Sequence, residues 1–167
     1  MVRISDVHGF VEELRRLYGI SGELDVRELK RISDEINVNA VIARRGPPER
    51  GGNVFMLYIG NSEAYDSHSG RSVNLSGKDR VMLFGKFMED AVKNFKGSDI
   101  HREEYTAIKD IGYPVEMSVE EFERSVPGYS VKNPLEEIGK IVQNNAVDCG
   151  LYSLALADYL DPSRPKQ

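Results

Sequence analysis

The stretch Gln143-Asn-Asn-Ala-Val-Asp-Cys149-Gly150-Leu-Tyr-Ser-Leu-Ala-Leu-Ala-Asp-Tyr-Leu160 holds the chain's one cysteine, directly after an aspartate and at the start of an apolar, helix-forming run. A thiolate in that place is stabilised by unpaired backbone N–H groups and by the positive end of the helix dipole, so its pKa is expected to fall toward the reactive range. Gly150 beside it is expected to leave room for a substrate backbone. The competing reading is burial, since a free cysteine commonly packs as a small hydrophobe. Gln143 favours the nucleophile. It lies six positions before Cys149 and is followed by the polar pair Asn144-Asn145, with Asp148 as candidate N-cap. A side-chain amide so placed can point into an oxyanion hole.

Upstream, Val54-Phe-Met-Leu-Tyr-Ile59 is rich in β-branched and aromatic residues, and Gly60-Asn61 is a strong tight-turn dipeptide. With Ala64-Tyr65-Asp66-Ser67 after the turn, the segment predicts a β-hairpin. Val38-Asn-Ala-Val-Ile-Ala43 predicts a further strand, joined to the hairpin by the exposed loop Gly46-Pro-Pro-Glu-Arg-Gly-Gly52.

Glutamine, five residues, cysteine, glycine and an apolar helix, preceded by a strand, a turn and a strand closing on Tyr65-Asp66-Ser67, resembles the adenain-like and SUMO-protease-like cysteine peptidases, which process ubiquitin-like proteins. The YopJ-type acetyltransferase effectors share nearly the same motif. The resemblance follows the order of elements from Val38 to Leu160, with little identity outside the motifs. It implies an α+β, papain-like fold of the ubiquitin-like-protease type, a small mixed β-sheet flanked by helices with Cys149 at the N-terminus of the central helix. It divides the chain into an N-terminal helical segment 1–37, a peptidase-like core 38–161 and a tail 162–167. It also implies roles: Cys149 as nucleophile, Gln143 in the oxyanion hole and Asp66 as the acid that orients a base.

The base is where the chain departs from the family. Asn53 stands where the catalytic histidine is expected, and no histidine occurs between His8 and His68. Asparagine has no titratable nitrogen and cannot take the thiol proton. His68, two residues beyond Asp66, is the foremost substitute, because in an extended segment both side chains leave on one face. His101, in the charge-rich run Gly97-Ser-Asp-Ile-His-Arg-Glu-Glu104, is a poorer one, and His8 reads as a turn or helix-entry residue. Without any base, a helix-start thiolate alone is a weak, slow nucleophile.

Composition narrows the function classes. The 167 residues are 40% hydrophobic, enough for one ordinary core. Lys and Arg number 22 against 27 Asp and Glu, a net charge of −5, so nucleic acid is not an expected partner. A single cysteine excludes an intramolecular disulfide and fits a reducing compartment. With no long apolar run and no recognisable signal peptide, the expectation is a soluble protein of the cytosol, of its own cell or of a host into which it is secreted, and no membrane partner. The expected partner is ubiquitin, a ubiquitin-like protein or another protein substrate. No cofactor is expected, and one cysteine with three scattered histidines does not have structural zinc spacing. Neither a phosphate-cradling Gly-x-x-x-x-Gly-Lys-Ser/Thr run nor a Gly-x-Gly-x-x-Gly after a strand is present. Two other classes stay open beside the peptidase: a catalytically impaired pseudoenzyme serving as a protein-binding module, and a YopJ-type acetyltransferase.

The remaining segments fill out the α+β pattern. Val7 to Tyr18 predicts an amphipathic helix, with Val7, Phe10, Val11, Leu14, Leu17 and Tyr18 on one side. Leu24, Val26, Leu29, Ile32 and Ile36 predict a second, and the pair is expected to pack on the core or cover part of its cleft. Ser67 to Arg80 reads as loop. Val81 to Phe95 reads as one helix carrying Met82, Leu83, Phe87, Met88, Ala91, Val92 and Phe95. Tyr113-Pro-Val-Glu-Met117 reads as a short strand, limited by Pro114 to a sheet edge or an irregular stretch, because proline cannot donate to a ladder. Ser118 with Glu121 predicts a capped short helix, closed by Pro127-Gly128. Ile138-Gly-Lys-Ile-Val142 predicts the strand that delivers Gln143.

Overall fold

Residues 6–45, 54–94, 112–131, 138–139, 141–143 and 147–161 are described by the structure, a computed structural model. In chain order these residues form α1 (Val7–Leu17), α2 (Val26–Glu35), β1 (Ala40–Arg45), β2 (Val54–Gly60), β3 (Glu63–Asp66), β4 (Arg71–Asn74), β5 (Arg80–Phe84), α3 (Lys86–Asn94), β6 (Val115–Ser118), α4 (Val119–Ser125) and α5 (Cys149–Leu160). The expected α+β class is therefore present. The six strands make one sheet in the order β4-β3-β2-β1-β5-β6, and every pairing is antiparallel. This corrects the expectation of a mixed sheet. The connections explain the difference: β2 and β3 are joined by two residues, and β3 and β4 by four, lengths that reverse the chain but cannot carry a parallel crossover.

Period-two alternation organises the layers. Along β1, Ala40 and Ile42 face one side while Val41 and Ala43 face the other. Phe55, Leu57 and Ile59 alternate in the same way with Met56 and Tyr58, and Met82 and Phe84 with Val81 and Leu83. The first set packs under α1, α2 and α5, and the second under α3 and α4. Both faces of the central strands are thus covered, which is why their sequences are almost continuously apolar. The residues of α1 and α2, including Val7, Val11, Leu14, Leu29 and Ile32, belong to the same buried cluster as the sheet and α5. A capping box starts α2, where the Glu28 N–H donates to Asp25 Oδ1 at 2.8 Å and the Asp25 N–H to Glu28 Oε1 at 3.3 Å.

The β2–β3 turn is centred on Asn61 and Ser62, one residue later than the sequence suggests. Both are left-handed, with φ of 54° and 59°, the requirement of a type I′ hairpin. Gly60 serves another purpose. At φ 102° it lies under the 129–130 backbone, where an added Cβ would meet the Tyr129 carbonyl oxygen at 2.4 Å.

Two segments depart further from the sequence reading. Val81–Phe84 belongs to a strand, not to the start of a helix; Gly85, at φ 65° and packed against Asn39, separates it from α3. β4 lies within the expected 67–80 loop. As an edge strand it needs a partner on one side only, so Arg71-Ser-Val-Asn74 can be polar and still pair. From β4 the chain runs to β5, held by Arg45, whose Nη2 donates to the Asn74 carbonyl and to Asp79 Oδ2, each at 2.9 Å. At the far edge, β6 and the Ser118-capped α4 follow the expectation; the Ser118 hydroxyl accepts the Glu121 N–H at 3.1 Å. Glu123 of α4 then accepts from Tyr58 at 2.6 Å and from Ser62 at 2.8 Å, tying this helix to the hairpin. The expected 46–52 loop, Phe95 and the tail from Pro162 lie outside the described residues. Among the described residues no helix is long and apolar enough to cross a membrane.

Candidate functional site

Cys149 is the first residue of α5, and the helix is buried from Cys149 through Asp158. Residues from the sheet, from α2 and from the segment before the helix converge on it. The pairing of β3 with β2 covers Leu57 to Gly60 and stops short of Phe55. The Phe55 N–H donates to Cys149 Sγ, 3.3 Å away. Asp148 occupies the N-cap position, but its carboxylate makes no capping bond to the helix; it pairs with Arg15 of α1, which also donates to the Gly22 carbonyl at 3.3 Å. The α1–α2 connection is thereby tied to the residue before the cysteine.

Gly150 does not open space for a substrate. A Cβ there would meet Phe55 at 3.2 Å, Leu29 at 3.3 Å and Leu24 at 3.7 Å, so the missing side chain lets α2 and β2 close on the helix. The expectation drawn from Gly150 is corrected accordingly. Cys149 as a residue is 8% exposed. Burial pushes the Cys149 thiol up from its ordinary value. The Phe55 and Gly150 N–H groups pull it down, and the negative charges of Glu23 and Asp66 push it further up. The expected lowering by the helix start is thus overturned, because desolvation of the thiolate outweighs the two donors.

Gln143 arrives by a different route from the expected strand. Residues 141–143 are irregular, and Ile138, where the strand was expected to begin, is a fully buried helical residue. What places Gln143 is the end of β3. Its N–H donates to the Ser67 carbonyl at 2.8 Å, and its Oε1 accepts from the Ser67 hydroxyl at 2.6 Å. The Tyr65 hydroxyl donates to the Ile141 carbonyl at 2.6 Å, and Gly70 comes so near Val142 that a Cβ would sit 2.8 Å from its Cγ2. In the sequence, the one signal for Ser67 is its place at the close of a motif, in the Asp66-Ser67 pair at a strand end. Nothing local pointed to Arg15, Glu23 or the Phe55 N–H.

Asp66 ends β3, and its carboxylate accepts the His68 N–H at 2.9 Å and the Ser69 hydroxyl at 3.1 Å. Residues 67–70 therefore form a turn, closed by the Gly70 N–H on the Asp66 carbonyl at 2.8 Å. The extended segment that would send His68 and Asp66 to one face is absent, and His68 is exposed. His8 lies in α1, where its Nδ1 bonds the Tyr152 hydroxyl and its ring meets Tyr152 edge-on at 5.4 Å. Asn53 and His101 lie outside the described residues. Among the described residues no group of three or more His, Cys, Asp or Glu is arranged to hold a metal ion.

Comparison with protein-family models, with curated proteins and with solved structures finds no match to the chain.

Proposed function

We propose that the chain is a cysteine-peptidase-like protein of the adenain and SUMO-protease type, with the papain-like arrangement of that group, acting on ubiquitin or a ubiquitin-like modifier through Cys149. One relationship carries the reading: the Phe55 N–H at the head of β2 donates to the Cys149 sulfur, the Asp66 charge at the end of β3 acts on that thiol, and Ser67 beside Asp66 grips Gln143, although Ser67 and Cys149 lie 82 positions apart in sequence. In the corresponding mechanism the Cys149 sulfur adds to a peptide or isopeptide carbonyl. The carbonyl oxygen takes the charge, held by the Gln143 amide and the Cys149 N–H; as it collapses the C–N bond breaks, the amine leaves with the proton given up by the thiol, and water then cleaves the Cys149 thioester. The resemblance gives Asp66 the role of orienting a base, and Asn53, which stands at that base's position in the motif, cannot take the thiol proton.

The test is a ubiquitin or ubiquitin-like protein carrying a C-terminal electrophile. Covalent capture at Cys149, lost in Cys149→Ala, supports the peptidase. A second reading, the impaired module, is favoured by a specific observation: Cys149 is buried, which pushes its thiol up and disfavours the thiolate that attacks. Reversible binding of the modifier without capture supports that module. Neither binding nor capture across a panel of modifiers rejects both, and labelling of Cys149 from acetyl-CoA points instead to the acetyltransferase.

A further inference from the structure

A glutamine side chain has two faces of opposite chemistry. Its carbonyl oxygen repels a developing oxyanion, whereas its NH2 group stabilises one, and the two ends exchange by a half-turn of the terminal torsion. An amide left to rotate presents the wrong end for part of the time. Here the Oε1 of Gln143 accepts from the hydroxyl of Ser67 at 2.6 Å, and the same serine accepts the Gln143 N–H on its own carbonyl at 2.8 Å. Ser67 is 2% exposed and Gln143 8%, so water competes little for either bond. Ser67 is also the residue after Asp66, whose charge acts on the Cys149 thiol.

We propose that Ser67 is a positioning residue: its buried hydroxyl locks the Gln143 amide with the oxygen inward, so that the NH2 end serves the oxyanion formed when Cys149 adds to a carbonyl. The proposal rests on the peptidase reading and adds a residue to it. Ser67 touches no reacting atom. Without the hydroxyl, Oε1 loses this 2.6 Å bond and with it the hold that Ser67 has on the amide.

Two probes separate this role from a general structural one. A ubiquitin-derived C-terminal peptide aldehyde takes the thiol across its C=O bond: the S–C bond forms, the carbonyl π bond breaks and the thiol proton ends on the former carbonyl oxygen, which passes through the oxyanion site. Iodoacetamide alkylates the same sulfur by displacing iodide and forms no oxyanion. In the full chain, Ser67→Ala is expected to weaken aldehyde binding up to about tenfold, the size of one lost hydrogen bond to the adduct oxygen. The alkylation rate is expected to stay within about twofold. Gln143→Ala should give the same loss, the double variant no more than either alone, and Ser67→Thr, which keeps the hydroxyl, a partial return. Parallel loss against both probes in Ser67→Ala, or unchanged aldehyde binding there while Gln143→Ala abolishes it, overturns the proposal and leaves the peptidase reading standing. No aldehyde adduct in the unaltered protein overturns both.

Discussion

The main-chain N–H of Phe55 donates to the sulfur of Cys149 across 3.3 Å, so the head of a central strand and the head of the buried helix meet at a single atom. That contact stabilises the thiolate, yet burial and the carboxylates of Glu23 and Asp66 act the other way and prevail.

Alkylation of Cys149 by iodoacetamide is therefore expected to be slow near neutrality and to accelerate only above about pH 8.5, where an ordinary thiol titrates. A raised folded-state pKa means that the neutral thiol contributes stability below the unfolded value, and this is lost as pH rises through the folded one. In urea the same cysteine should react faster at pH of about 8, and Glu23→Gln should move the folded inflection downward. An inflection below that of the unfolded chain would show that the helix start dominates after all.

Arg15→Ala should lower stability by about 3 kcal/mol, read from the urea midpoint, because it takes the guanidinium away from a carboxylate only 3% exposed. It also frees the Gly22 carbonyl from its tie to the cysteine helix. Arg15→Lys should recover part of the loss, since an ammonium can pair with Asp148 but reproduces the fork only in part. A change within error for Arg15→Ala would mean that the pair is solvated.

For Gly60→Ala the expected cost is about 1–3 kcal/mol, because the residue would have to hold a left-handed backbone and its Cβ would approach the Tyr129 carbonyl oxygen at 2.4 Å. Thermal denaturation of the variant decides this. Gly112→Ala is a useful control, with φ of 78° but nothing among the described residues within 4 Å of its Cβ.

Asn53→His tests the alignment that assigns position 53 to the base. It should raise the alkylation rate of Cys149 at neutral pH about tenfold or more, with a new inflection near the histidine value of about 6.5. An unchanged profile in a folded variant argues against that alignment.

What the sequence disclosed was what local chemistry encodes. The α1 and α2 stripes, the hairpin from Val54 to Asp66 and the Ser118 cap all depend on residues within a few positions of one another. Val81-Met-Leu-Phe84 was misleading because a short apolar run suits a buried strand as well as a helix, and the sheet neighbours that decide it, β1 and β6, lie far away in sequence. At the site, the cysteine and the glutamine were legible as a pattern. The state of the thiol was not, because Leu24 of the α1–α2 connection, Leu29 of α2 and Phe55 of β2 close over Gly150. Likewise, the Ser67 grip on Gln143 joins residues 76 positions apart.

The alternation of β1, β2 and β5 has a consequence for how such a chain can diverge. Odd and even positions of one strand answer to different neighbourhoods, so the side holding Tyr58, Val81 and Leu83 can be rewritten while the sulfur's own surroundings stay intact. Descendants of this protein could acquire new outer contacts around α3 and α4 and inherit the chemistry of Cys149 unaltered.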